Sequence, residues 1–247
     1  NAENLIINVR SFSGDISADK DKTIITIKKL DLVNPELSLA GNFFTSESLS
    51  LVKFDLDGAN IDIDATRKAA LFLEGESGAA KDIFDVIKGG KVPFINITAK
   101  AQSLSELGNI ENISIKGNIL DGKITVPEPA LELENVKGDV TVSLGILEGS
   151  NLEGRLGNST AKQGMLKLGL SDNSDLFYLD TSIHADLSRL PSVLKQVVED
   201  KTFLNELSLI KKCEGQADGK LTINDSGGST HVKVDVSRFN LRAMYER

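Results

Sequence analysis

Apolar and polar residues alternate along most of the chain. Between Val52 and Leu56, for example, apolar residues occupy every second position, with Lys53 and Asp55 between them. A period of two is typical of a β-strand that buries one face and exposes the other to water. Runs of the same kind begin at Ile25, Leu37, Ile61, Ile113, Val140, Leu166, Phe177, Ala217 and Val232. Strands with one wet face predict an antiparallel sheet rather than βαβ units.

Short polar segments that contain glycine lie near these runs, and each predicts a turn. They are Asp57-Gly58, Asp121-Gly122, Glu148-Gly149 and residues 225–228. One of them opens a phrase that occurs twice, as Asp-Gly-Lys-Ile-Thr-Val at 121–126 and as Asp-Gly-Lys-Leu-Thr-Ile at 218–223. Gly117 and Gly215 precede the two copies. A repeated strand-turn-strand unit indicates an extended β-scaffold.

Two segments change to helical spacing. The first, at about residues 78–89, has an N-cap at Ser77, an end at Gly89-Gly90 and an apolar stripe of Ala79, Ala80, Ile83, Val86 and Ile87. The second, at about 190–207, begins with Pro191 and has an apolar face of Val193, Leu194, Val197 and Val198, which Phe203, Leu204 and Leu207 extend. The order strands, helix, strands, helix, strands suggests two related halves.

The predicted fold is therefore mainly β: a long curved antiparallel sheet with two short amphipathic helices. The sheet is either an open groove or closed like a sandwich, and the pattern does not separate these forms. A soft boundary near Gly108 divides a strand-rich half at 1–108, with the first helix, from a second strand set and helix at 109–247. One continuous domain is an equally good interpretation.

The composition of the chain argues against some classes of binding partner. The net charge of −8, with lysines scattered singly, opposes nucleic-acid binding, which relies on clustered basic residues. The one cysteine, Cys213, lies in an alternating run and is expected to be a small buried hydrophobe. No run approaches the roughly 20 apolar residues of a membrane-spanning helix, and the chain opens at Asn1 without a leader pattern. We expect a segment of a longer protein.

Catalytic and metal-binding patterns are weak. His184 and His231 are the only imidazole bases, and both fall on the solvent side of their strands. The acidic group from Asp55 to Asp64 raises the question of calcium, but its members alternate with apolar residues along a wet face. Residues 75–81 resemble a phosphate-binding loop without its Gly-Lys-Ser/Thr ending, so a helix N-terminus fits better. We predict no catalytic residue, no metal and no cofactor, and hence no enzyme.

The second helical segment and the strand after it carry a family resemblance. Residues 183–194 read Ile-His-Ala-Asp-Leu-Ser-Arg-Leu-Pro-Ser-Val-Leu, and residues 214–223 read Glu-Gly-Gln-Ala-Asp-Gly-Lys-Leu-Thr-Ile. This order resembles the periplasmic repeats of the AsmA-like family, which includes the TamB and YhdP relatives. A weaker copy of the order runs from Ala79 to Val126. The resemblance implies the periplasmic part of an inner-membrane-anchored protein of a Gram-negative bacterium.

It also implies outer-membrane biogenesis, with phospholipid moving along a hydrophobic groove of the sheet. The expected partners are phospholipid or another acyl-chain ligand, the rest of the parent protein, and a membrane contacted through the missing flanks. Candidate lipid-binding residues come from the longest alternating stretch: Val140, Val142, Leu144, Leu166, Leu168, Leu170, Phe177 and Leu179. In a closed sandwich the same residues would form an ordinary core. The alternative function is a structural or adhesive β-module of a secreted or surface protein.

Overall fold

The computed structural model of the chain is one antiparallel sheet in which each strand pairs with its neighbours in sequence. It describes residues 6–74, 79–126, 131–171, 174, 176–198, 200–226 and 229–246. The sheet has twelve strands, and the first and last form its two edges, so it is open. The prediction of a mainly β, antiparallel fold is confirmed, and of the two predicted forms the open sheet is the one observed.

The strands are β1 (Asn8–Ala18), β2 (Lys22–Asn34), β3 (Glu36–Ser46), β4 (Leu51–Asp62), β5 (Ile87–Ala101), β6 (Ile113–Val126), β7 (Leu131–Ser143), β8 (Ile146–Leu156), β9 (Ser159–Gly169), β10 (Phe177–Asp186), β11 (Ile210–Ser226) and β12 (Ser229–Tyr245). The helices are α1 (Ile63–Glu74), α2 (Ala79–Val86), α3 (Leu190–Val197) and α4 (Lys201–Ser208). Short 3-10 turns occupy Leu104–Glu106, Ile110–Asn112 and Leu187–Arg189.

The first helical region differs from its prediction. Ile63 and Asp64 were expected in a strand, but β4 ends at Asp62 and α1 begins at Ile63. The Asp62 carboxylate accepts a hydrogen bond from the Ala65 backbone N–H at 3.0 Å, which satisfies a free donor of the first helical turn. The predicted helix at 78–89 corresponds to the shorter α2, and its proposed N-cap Ser77 lies outside the described residues.

The two glycines expected to end that helix belong to β5 instead. Gly90 has a φ of 123°, and a Cβ atom there would lie 2.7 Å from the Gly122 Cα of β6. The two backbones therefore approach more closely than side chains would permit. Gly90 therefore serves the β5–β6 contact rather than a helix end, whereas a Cβ atom at Gly89 would lie 2.7 Å from the Asp64 carboxylate of α1.

The second helical region is two helices rather than one at 190–207. After α3, Val198 returns to an extended conformation with φ −112° and ψ 127°. Asp200 then begins α4, because its carboxylate accepts a hydrogen bond from the Phe203 N–H at 2.7 Å. Val193 and Val197 lie within α3, and Leu204 and Leu207 lie within α4. An N-cap in the middle of the predicted helix explains the division.

Three of the predicted turns lie inside strands. Asp57-Gly58 is in β4, Asp121-Gly122 in β6 and Glu148-Gly149 in β8. At the second of these, Asp121 has a φ of 51° and the pairing with β7 shifts between Ile119 and Gly122, which is a β-bulge. The repeated phrase also meets a shift in β11, between Asp218 and Gly219. The fourth predicted turn does separate two strands, because Ser226 of β11 pairs with Ser229 of β12.

The sheet continues across the predicted boundary near Gly108. β5 and β6 pair on either side of it, with Ala99 opposite Ile113. The division into 1–108 and 109–247 stays a prediction. In the described ranges, no helix has the length and apolar character that a membrane crossing needs.

Both helical regions lie at the same end of the sheet. They follow β4 and β10, and strands of even number run in the same direction in this sheet. Ile63 of α1 and Val86 of α2 are buried in the same apolar cluster as Ile119 of β6. Leu187 and Leu207 of the second region are also buried. Helices α1 and α2 therefore cover part of one sheet face at this end.

Candidate functional site

A row of apolar residues and glycines crosses the whole sheet, with one member on each strand. Each member is the direct cross-strand partner of the next, so their side chains share one face. We call it the central row: Phe12, Leu30, Leu39, Gly58, Ile95, Gly117, Val140, Gly149, Leu166, Leu179, Ile223 and Val232.

A second row lies beside it on the same face and crosses β1 to β10. Its members are Gly14, Ile27, Gly41, Leu56, Ile97, Ile115, Val142, Leu147, Leu168 and Phe177. Neither row contains a polar side chain. The two rows define what we call the apolar face.

The opposite face is polar along the same line. Between the two rows in sequence lie residues such as Thr141, Lys167 and Tyr178, whose side chains point the other way. Asn224, which pairs with Tyr178, is on the same side as these residues. On this face the Lys167 ammonium contacts the Glu148 carboxylate at 2.6 Å. The sheet is therefore amphipathic, with one aliphatic and one hydrogen-bonding surface.

Many polar side chains on this face are paired with one another through hydrogen bonds and ion pairs. Lys220 Nζ lies 2.9 Å from Asp180 Oδ2, and this hydrogen bond raises the pKa of the Lys220 ammonium. His184 Nδ1 lies 2.7 Å from Asp218 Oδ1, and the hydrogen bond from His184 lowers the pKa of the Asp218 carboxyl. His184 is half-buried beside its partner, whereas His231 is exposed on β12. Both histidines lie on the polar face, as predicted.

The carboxylates considered for calcium are used in other ways. The Asn96 side-chain amide donates to Asp55 at 2.9 Å and to Asp57 at 3.0 Å. Asp62 caps α1. Among the residues that the structure describes, no three His, Cys, Asp or Glu side chains cluster in a way that would hold a metal ion. The phosphate-loop pattern lies largely outside the described residues, and α2 begins at Ala79.

Burial changes along the central row. Its middle is closed, with Leu166 buried and Gly149 beneath the side chain of Leu152, which a Cβ at this glycine would meet at 2.7 Å. Away from the middle the row is half-buried, as at Leu39 and Ile223. At the two edges it is open: Phe12 is 64% exposed and Val232 is 61% exposed. Accessible apolar surface is therefore greatest toward the edges.

Six of the eight predicted lipid-binding residues lie on the apolar face. Val140, Leu166 and Leu179 belong to the central row. Val142, Leu168 and Phe177 belong to the second row. Of the six, Val140, Leu168 and Leu179 are half-buried and the others are buried.

The other two predicted residues are placed differently. Leu144 follows the end of β7 in a turn, has a φ of 52° and is 74% exposed, so it does not continue the row of Val140 and Val142. Leu170 follows the end of β9, and its backbone N–H donates to the Gly145 carbonyl at 2.8 Å. Its side chain is buried in the apolar cluster.

Sequence reasoning missed Leu147 and Leu152, because Glu148-Gly149 was interpreted as a turn and β8 was not recognised. It also left out the row members on strands other than β7 to β10, such as Leu39, Ile95 and Ile223, although their alternation has the same period. The missing information was the register, which joins these residues into one row.

Cys213 is buried, as predicted, and burial raises the pKa of its thiol.

Comparison of the chain with protein-family models, with curated proteins and with solved structures finds no match.

Proposed function

We propose that the chain is a non-enzymatic lipid-binding segment whose apolar face holds the acyl chains of a phospholipid. The observation that carries this proposal is the central row, which is apolar or glycine on every strand and opposes a polar face. Acyl chains on this face would remove apolar surface from water, worth about 25 cal/mol per Å² before the cost of ordering the lipid. Headgroups would remain in water.

The AsmA-like resemblance of the sequence suggests a biological setting for this proposed activity. In that setting the chain is a periplasmic segment of an inner-membrane-anchored protein, and the lipid moves toward the outer membrane along the sheet. An open sheet with one aliphatic face supports such a role, because successive strands extend the same face.

A matched pair of variants on one strand tests the proposal. Ile223→Asp puts a charge on the half-buried central row, and Asn224→Asp puts the same charge on the polar face one residue away. The wild type and both variants are purified without detergent from a bacterial periplasm, extracted with organic solvent and analysed by mass spectrometry. We expect phospholipid with the wild type and Asn224→Asp, and a loss with Ile223→Asp.

A cross-linking measurement separates lost binding from lost folding. A photoreactive benzoyl-phenylalanine replaces Ile223 in one sample and Asn224 in another, and each sample is illuminated with phospholipid vesicles. The proposal requires lipid adducts from position 223 and few from position 224. Equal labelling at both positions, or a wild-type protein free of lipid, would contradict it and would favour the structural or adhesive module.

A further inference from the structure

The two edges of the sheet are not equally suited to bind another strand. In β1, the pairing with β2 shifts three times within eleven residues, at Asn8, Val9 and Ser13. Such irregularities protect an edge from further pairing. In β12, the pairing with β11 is uninterrupted from Ser229 to Val236, and the whole strand is exposed. β12 is therefore the edge that is open to pairing.

The hairpin geometry tells which backbone groups of β12 face outward. Ser226 and Ser229 pair across a two-residue connection, and residues in that position exchange hydrogen bonds with each other. Alternate residues from Thr230 onward then direct their N–H and C=O groups away from β11. These residues include Val232, Val234 and Val236, whose side chains extend the apolar face.

The side chains between these valines carry opposite charges. Lys233 and Asp235 lie on the polar face, and both are exposed. They form an ion pair at 2.8 Å within the strand. A strand with this order is complementary to itself when it runs antiparallel to a second copy, because each lysine can then meet an aspartate.

We propose that a second copy of this chain pairs with β12 through a two-fold axis at Val234. The axis puts Val234 opposite Val234 of the second copy, and Val232 opposite Val236 of the second copy. All of these residues direct their N–H and C=O groups outward, so roughly six backbone hydrogen bonds form. Lys233 of each chain then lies opposite Asp235 of the other as a non-hydrogen-bonded pair, the type in which the two side chains are closer together.

The charges select this axis over its neighbours. An axis at residue 233 would oppose Lys233 with itself, and an axis at residue 235 would oppose Asp235 with itself. Like charges directly opposite each other destabilise strand pairing. The axis at Val234 is perpendicular to the sheet, so the apolar faces of the two copies lie on the same side and form one surface. The pairing does not depend on what that surface binds.

Sedimentation of the whole chain tests the dimer. A single pair of strands buries less than the about 1,600 Å² of a standard interface, so we expect a micromolar dissociation constant. Lys233→Asp and Asp235→Lys each place two pairs of like charges across the axis. We expect each variant alone to dimerise about tenfold more weakly than the wild type.

A mixture of the two variants gives the decisive result. The Lys233→Asp chain then carries aspartate at both positions and the Asp235→Lys chain carries lysine at both. Each aspartate of one chain lies opposite a lysine of the other, so a heterodimer forms. The ion pair within the strand is broken in both variants, and only the contact between chains is restored. In Asp235→Lys the new lysine also lies opposite Lys220 of the same chain, where the two like charges could weaken the fold. Circular dichroism therefore checks that each variant is folded.

Wild-type dimers that weaken in each variant and return in the mixture would support the proposal. A wild type that stays monomeric at high micromolar concentration would overturn it. Variants that dimerise as well as the wild type, or a mixture that stays monomeric, would refute this register.

Discussion

Replacing Val142 with alanine tests whether the middle of the apolar face is a true core although the sheet has a single layer. Val142 is 2% exposed, whereas Val234 on the edge strand is 50% exposed. Both are valines on strands, so Val142→Ala and Val234→Ala make the same chemical change in different surroundings.

The expected losses differ about threefold. Removing the carbon atoms of Val142 costs about 1.6 kcal/mol of transfer free energy at ~0.8 kcal/mol per methylene, and a partly unrelaxed cavity adds about 1 kcal/mol. At Val234 about half of the transfer term applies, and water fills the space. We therefore expect the free energy of unfolding to fall by about 2.5 kcal/mol for Val142→Ala and by about 0.8 kcal/mol for Val234→Ala.

Equilibrium urea unfolding measures both losses, at a protein concentration below the micromolar range in which the proposed β12 dimer would cover Val234. The comparison holds if the two variants and the wild type unfold with the same dependence on urea concentration, since the midpoint then reports stability alone. Losses within about 0.5 kcal/mol of each other would refute the reasoning, because they would mean that the centre of the sheet is no better packed than its edge.

Three further predictions concern single side chains. The Asp31 carboxylate accepts hydrogen bonds from the Lys29 ammonium, Ser38 and Ser11, and these lower its pKa from 3.8 to about 2. The ionised carboxylate therefore stabilises the fold above pH 3.8, and this stabilisation is lost as the pH falls through about 2. The difference in thermal midpoint between the wild type and Asp31→Asn should shrink over this window. Because Cys213 is buried with a raised pKa, a thiol reagent should label it at least about tenfold more slowly in the native protein than in urea. Asp200→Ala should cost about 1 kcal/mol in urea unfolding through loss of the α4 cap, while Asp200→Asn should retain most of the stability.

The alternation of apolar and polar residues predicted the strand faces well, because the side a residue faces depends only on its position within its own strand. Val140 and Leu166 were placed on one face from the sequence, and the register makes both members of the central row. The same rule failed at Leu144, where the apolar period continues for one residue beyond the end of β7. A leucine with a positive φ is uncommon, so the pattern gave no warning of the turn.

Glycine dipeptides were ambiguous for a physical reason. Asp121-Gly122 has the composition of a hairpin turn, and Asp121 does adopt a positive φ. The same conformation occurs in a bulge, and the neighbouring strand decides between the two structures. Ile61 and Ile63 were ambiguous in a similar way, because two apolar residues around Asp62 fit both the end of a strand and the first turn of a capped helix.

The gradient of burial gives the predicted lipid-binding residues two different roles. A side chain that is already buried by its neighbours has little surface left to give to a ligand, so Val142, Leu166 and Phe177 stabilise the sheet in the first place. Half-buried members such as Leu179 and Ile223 retain apolar surface that a ligand can cover. Lost binding after a change at Phe177 would therefore report unfolding as readily as contact. A photoreactive residue at Ile223 distinguishes the two because it reports contact with the lipid directly, and for that reason a search for the ligand should begin on the strands near the edge.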